Sequence, residues 1–188
     1  MEALLGVFSA FGLSASAGLN AYIPLLIVGV LAHYTNLIHL QAPWDVLANP
    51  WILILLGLLL IIEMLADKVP VVNHINDLIQ TIVRPAAGAV AFAASTNVIQ
   101  GINPVLALAC GLLVAGSVHL VKSAAVRPLV TATTAGAGNV PVSIAEDLTS
   151  TAVSFLSILL PVAIAVLVAI AVLSLLWWWA RRRSSNPA

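Results

Sequence analysis

Residues 50–68 read PWILILLGLLLIIEMLADK, an apolar run from Pro50 to Ala66 that carries Glu63 near its end and leads straight into Asp67 and Lys68. A helix that crosses a bilayer requires about 20 mostly apolar residues, and this stretch offers no polar face on which a soluble helix could meet water. The surrounding composition agrees: 62% of residues are hydrophobic, 7% are charged and mean hydropathy is +1.12, whereas ordinary soluble domains carry roughly 25% charge. The chain is therefore read as a polytopic all-α membrane protein. Its 188 residues form a single membrane domain, 1–188, with no part large enough to build a separate soluble core.

Outward from this run, five hydrophobic units are expected: Leu4 to Ala32, Pro50 to Ala66, Ile75 to Val98, Pro104 to Val121 and Ala152 to Trp179. The first is interrupted by Gly12, Ser14, Ser16, Gly18 and Asn20, and the third passes through Arg84-Pro85, so these two are expected to be broken. Asn49-Pro50 and Asn103-Pro104 mark helix starts, because proline is tolerated in the first turn and asparagine caps the unpaired N–H groups there. Trp44, Trp51 and Trp177 to Trp179 are interfacial belt residues, and Arg181 to Arg183 anchor a helix end. Lys68, Lys122 and Arg127 would fall on the side opposite those arginines, so the distribution of basic residues leaves orientation undecided. Met1-Glu2-Ala3-Leu4 lacks a basic n-region, so the first apolar stretch is expected to be retained.

Residues 67–76 and 122–148 are too polar for lipid contact and too apolar for a free loop. They read as re-entrant or cavity-lining backbone, tolerated at membrane depth only where protein or water covers it; a short interfacial loop is the plainer alternative. Each contains a related unit, Val69-Pro70-Val71 through Asp77-Leu78 and Val140-Pro141-Val142 through Asp147-Leu148. This echo admits repeat halves 1–100 and 101–180, either inverted or parallel. Paired interrupted segments point to a transporter's binding site, although small residues at such spacing are equally what close helix packing demands.

The charges beside or between these runs are the candidate site. Glu63 and Asp67 stand one turn apart, where like charges repel unless a cation or proton intervenes. His74, Asp77, Thr81 and Arg84 follow helical spacing and would form one polar seam, with Asn73 beside it. Lys122, one turn beyond His119, and Arg127 supply counter-charge, and Glu146 and Asp147 supply further carboxylates. Asn20 with Tyr22, and Gly136 to Asn139, lie at turns that would leave backbone groups free to meet a ligand. Salt bridging inside the bundle is the alternative to each of these roles.

Other classes find little support. No glycine elbow surrounds any serine, Cys110 has no base near it in sequence, and the Thr-Ala-Gly-Ala-Gly-Asn stretch lacks the lysine of a P-loop, so catalysis is not expected. Cys110 is the only cysteine, which rules out an intramolecular disulfide and reads as a packing residue. No HxxxH or ExxH spacing defines a metal site, and no cofactor is expected. A zero formal charge with one basic cluster argues against nucleic acid.

Residues 12–24, Gly-Leu-Ser-Ala-Ser-Ala-Gly-Leu-Asn-Ala-Tyr-Ile-Pro, together with Glu63 through Asp77 and Arg84-Pro-Ala-Ala-Gly88, resemble a family of small bacterial integral membrane proteins with plastid relatives, known only as a domain of unknown function. The resemblance spans roughly Leu5 to Leu160. It implies a membrane location, in a bacterial cell the inner membrane, and no activity.

From the residues, the expectation is a small transporter or channel that moves an ion or small anionic solute. Its site would comprise Asn20, Tyr22, Glu63, Asp67, Lys68, Asn73, His74, Asp77, Arg84, Lys122, Arg127, Asn139, Glu146 and Asp147. Membrane lipids and further copies of the chain are the expected partners. A non-transporting scaffold or lipid-binding protein with internally paired charges is the competing expectation.

Overall fold

The computed structural model describes residues 2–67, 70–96 and 103–184, and among them every regular element is helical. In chain order these are α1 (Glu2–Leu19), α2 (Tyr22–Tyr34), a 3-10 turn (Trp44–Ala48), α3 (Pro50–Ala66), α4 (Pro70–Thr96), α5 (Pro104–Val121), a π-helical turn (Lys122–Val126), α6 (Arg127–Thr134), α7 (Asn139–Leu159) and α8 (Pro161–Ser184). Three stretches are long and apolar enough to cross a membrane: Leu78–Thr96, Pro104–Thr134 and Asn139–Leu159. Leu4–Leu19, Tyr22–Tyr34 and Pro50–Ala66 are shorter apolar helices.

α1 is the hub, packed against α2, α4, α5, α7 and α8. Lipid tails are as apolar as leucine, so helices in a bilayer associate through close packing and interhelical hydrogen bonds. α1 is built for both. Ala10, Leu13, Ser14, Ser16 and Ala17 are buried, and Ser14 Oγ donates to the Gly111 carbonyl at 2.7 Å. α7 answers with Ser143, Asp147, Ser150, Ser154 and Ser157, recurring at alternating spacings of four and three residues and so lying on one face. The Ser16 hydroxyl shares hydrogen bonds with those of Ser150 and Ser154 at 2.7 and 2.6 Å, and Ser9 Oγ donates to the Ser157 carbonyl at 2.6 Å.

Glycine is required where α4 crosses α5. A Cβ on Gly111 would lie 2.4 Å from the Gly88 carbonyl oxygen, and one on Gly88 would lie 2.2 Å from Ala115 Cβ. On α3 the polarity of a soluble helix is reversed. Trp51, Ile54, Leu58, Ile61, Ile62 and Leu65 face outward, while its buried residues are Leu53, Leu56 and Glu63. Leucine gains nothing by leaving lipid, whereas a carboxylate does.

The helix starts at Asn49-Pro50 and Asn103-Pro104 are as anticipated. Asn49 Oδ1 accepts from Trp51 N at 2.9 Å and Asn103 Oδ1 from Val105 N at 2.8 Å. The first unit does break, at Asn20 and not within its Ser-Ala-Gly stretch, which is continuous helix because its small residues serve packing. Three expectations are corrected. α4 runs unbroken through Pro85. Residues 122–148 are helical apart from the turn at 135–138, where Ala135 and Gly136 take positive φ of 51° and 88°, so the non-helical backbone expected there is helix, although part of it does line a cavity. The last unit is two helices, because Pro161 pushes Leu160 out of helical geometry, to φ −138° and ψ 64°.

Candidate functional site

The break after α1, the end of α3, the middle of α4, the end of α5 and the first turns of α7 converge on one cluster of charge. Arg84 Nη2 lies 2.8 Å from Glu63 Oε1, and Arg84 Nε donates to the same oxygen at 3.2 Å. Arg84 also lies 3.7 Å from Asp67 Oδ2, so it is the cation that stands between two carboxylates one turn apart. Asp67 Oδ2 is shared further, with Arg127 at 3.2 Å and Lys122 at 3.9 Å, and Ser143 Oγ donates to it at 3.3 Å. Lys122 and Arg127 meet again on Glu146 Oε2, at 2.8 and 3.0 Å. Three carboxylates and three cations thus form a neutral network whose side chains are all at most 10% exposed.

The π-helical turn explains how Lys122 and Arg127 serve the same acids. In an ideal α-helix two residues five apart diverge by about 140°; the wider π turn brings the fifth residue back toward the same face. Pro128 follows directly and has no N–H to offer the preceding turn, which favours the irregularity there.

Neutral groups close the edges. Asn76 Nδ2 donates to Asp67 Oδ1 at 2.7 Å, and His119 links Thr81 Oγ1 (3.2 Å) to Arg84 Nη1 (3.3 Å). Lys122 Nζ donates to the Leu19 carbonyl, 3.1 Å away at the last residue of α1. Asn20, in the break itself, accepts on Oδ1 from Tyr22 N and Ile23 N at 3.1 and 3.2 Å and donates from Nδ2 to Asp147 Oδ1 at 2.9 Å. Tyr22 meets the Gln80 side chain and lies in the field of Glu63 and Arg84.

Two open cavities reach the polar groups. One of about 480 Å³ between α5, the π turn and α7 has Lys122 and Glu146 in its wall, with Leu19, Val121 and Val142. Another of about 300 Å³ between α2, α3 and α7 exposes Asp147 among Ile23, Leu60, Met64 and Phe155. Both have largely apolar walls.

Glu63, Asp67, Arg84, Lys122, Arg127 and Glu146 are therefore brought together, with Asn20, Tyr22 and Asp147 alongside. Asn139 is not; its side chain pairs with Thr131 across the α6–α7 turn at 3.1 Å. Nor are the backbone groups at the two turns free. Asn20 caps one, and at the other Gly138 N donates to Thr134 Oγ1 at 2.9 Å and Asn139 N to the Gly136 carbonyl at 3.1 Å. Lys68 lies outside the described residues, as do the side chains of Asn73, His74 and Asp77 in the early turns of α4. Among the described residues no group of three His, Cys, Asp or Glu side chains is arranged to hold a metal ion. Asn76, Gln80 and Ser143 were not anticipated; Gln80 stands one turn before Arg84, where helical spacing alone places it on the same face.

Comparison with curated proteins and with solved structures returns no match. The model of one family covers residues 7–182, nearly the whole chain, and the protein accordingly belongs to the family described as a domain of unknown function, DUF4126.

Proposed function

We propose that the protein is a small membrane carrier, without catalytic activity, in which the network of Glu63, Asp67, Glu146, Arg84, Lys122 and Arg127 is the site that binds a transported ion or small anionic solute. The observation that supports this reading is the burial of all six charges in one shared cluster at a helix break. As a stabilising device such a cluster is poor: apolar side chains of similar volume in place of a buried ion pair are often neutral or stabilising. As a binding site it is apt, because ionisable groups inside a bilayer are characteristic of ion and proton paths. An incoming anion can replace a carboxylate on Arg84, Lys122 or Arg127, and an incoming cation or proton can replace a cation on Asp67 or Glu146.

The cavity beside Lys122 and Glu146 gives such a solute a way in. A chain this short needs a second copy to enclose a path, so the carrier is a homo-oligomer among the lipids of a bacterial inner membrane, with the two Val-Pro-Val segments as corresponding parts of its halves.

A second reading is favoured by one observation: each of the six charges has an opposite charge at 3.2 Å or closer. A neutral network of paired charges is what a scaffold or lipid-binding protein would use to fix helix register. Purified protein in liposomes loaded with a pH-sensitive dye separates the two. Under imposed proton, cation and anion gradients the carrier gives flux that Glu63→Gln and Lys122→Met reduce at least tenfold. Absence of flux under every gradient would overturn the carrier reading in favour of the scaffold.

A further inference from the structure

The hydrogen bonds of Glu63 are lopsided. Oε1 accepts twice from Arg84, while Oε2, in a residue 1% exposed, has no hydrogen-bond partner. Gln80, 2% exposed, likewise leaves its Oε1 without a donor. It lies one turn before Arg84 and against Tyr22. Glu63 Oε2 is thus a buried carboxylate oxygen that meets no donor. Leaving such a group unmet is costly, the more so when it is charged, and for a carboxylate the remedy that needs no added space is a proton.

We propose that Glu63 is a proton-exchange site whose Oε2 binds one proton from water, forming an O–H bond and leaving Arg84 on Oε1. This rests on the carrier reading for its purpose, though not for its test. The groups facing Glu63 are Tyr22 from α2, Asp67 at the end of its own helix, Arg84 from α4 and Lys122 from the π turn, with His119 of α5 behind Arg84. Among the ion pairs of the described residues, the six charges sum to zero with Glu63 ionised and to +1 with Glu63 protonated, Arg84, Lys122 and Arg127 then being set against Asp67 and Glu146. That surplus charge invites a monovalent anion, so proton and anion occupancy favour each other. The coupling ion of the carrier is then the proton, and the solute class a small anion entering with it.

The test is infrared difference spectroscopy of the purified protein in lipid nanodiscs, titrated over its stable pH range, with and without ¹³C-labelled glutamate. The chain has three glutamates, Glu2, Glu63 and Glu146. The expected result is a protonated-carboxyl C=O band that grows as pH falls, shifts down with the label, persists in Glu146→Gln and is lost in Glu63→Gln. Absence of any label-sensitive band in the wild type overturns the proposal without reliance on a variant, and so does a band that survives in Glu63→Gln. The two readings fail separately: a Glu63 band in a protein that gives no flux sinks the carrier alone, and flux without the band sinks this site alone.

Discussion

The Arg84–Glu63 pair permits a quantitative forecast from geometry. Both side chains are buried, 0% and 1% exposed, but their dependence on each other is unequal. Arg84 is the one ion-pair partner of Glu63 among the described residues, whereas Arg84 also has Asp67 at 3.7 Å and His119 at 3.3 Å. Arg84→Met should therefore be the costlier single change, about 4 kcal/mol, within the 3–5 kcal/mol found when one member of a buried pair is removed. Glu63→Met leaves the guanidinium a second carboxylate and should cost about 2 kcal/mol. The double variant strands neither member of the pair and loses the longer contact to Asp67 and the hydrogen bond to His119, so about 3 kcal/mol is expected, well below the roughly 6 kcal/mol of the summed singles. The coupling of about 3 kcal/mol is at the upper end of what contacting residues show. It can be read from reversible unfolding in mixed micelles of dodecyl maltoside and dodecyl sulfate, followed by helicity. Additivity to within about 0.5 kcal/mol would refute the claim that these two groups form one buried unit.

Further outcomes follow from other contacts. Gly111→Ala, whose methyl would meet the Gly88 carbonyl oxygen at 2.4 Å, should force α4 and α5 apart and destabilise by about 1–3 kcal/mol or more, seen in the same unfolding titration. Asn20→Leu removes the acceptor for Tyr22 N and Ile23 N and the donor to Asp147; a loss of about 1–3 kcal/mol is expected, with faster hydrogen exchange confined to the start of α2. Asn103→Ala should lower stability by only about 1 kcal/mol, the worth of a helix cap, and leave liposome flux unchanged. Ser16→Val deletes the hydroxyl shared with Ser150 and Ser154 and adds bulk at a fully buried position; thermal unfolding of this variant in detergent should fall well below wild type, while Ser117→Ala on the exposed face of α5 should not move it.

Local chemistry was legible in the sequence where it is self-contained. Asn49-Pro50 and Asn103-Pro104 announce helix starts because cap and first turn lie within three residues. The charged members of the cluster announced themselves because carboxylates and guanidinium groups are out of place in lipid. Their pairing was not legible, since Asp67 and Arg127 are 60 residues apart and only the folded bundle decides which oxygen each cation meets. Serine and glycine carried two meanings: in 12–20 they read as a break and turned out to be a packing surface, with the break reserved for Asn20. Pro161 misled for the opposite reason, a single residue inside a leucine-rich run whose hydropathy hides it. The π turn left no pattern beyond Arg127-Pro128.

The position of α1 at the centre of the bundle bears on how the chain is made. Its hydroxyls leave the ribosome first, yet the α7 serines that satisfy Ser9 and Ser16 are synthesised more than 130 residues later. During biogenesis α1 must wait in the lipid, or beside the insertion machinery, with a polar stripe uncovered. Completion of α7 is therefore what covers that stripe, and a chain ended before Asn139 would keep it open to lipid.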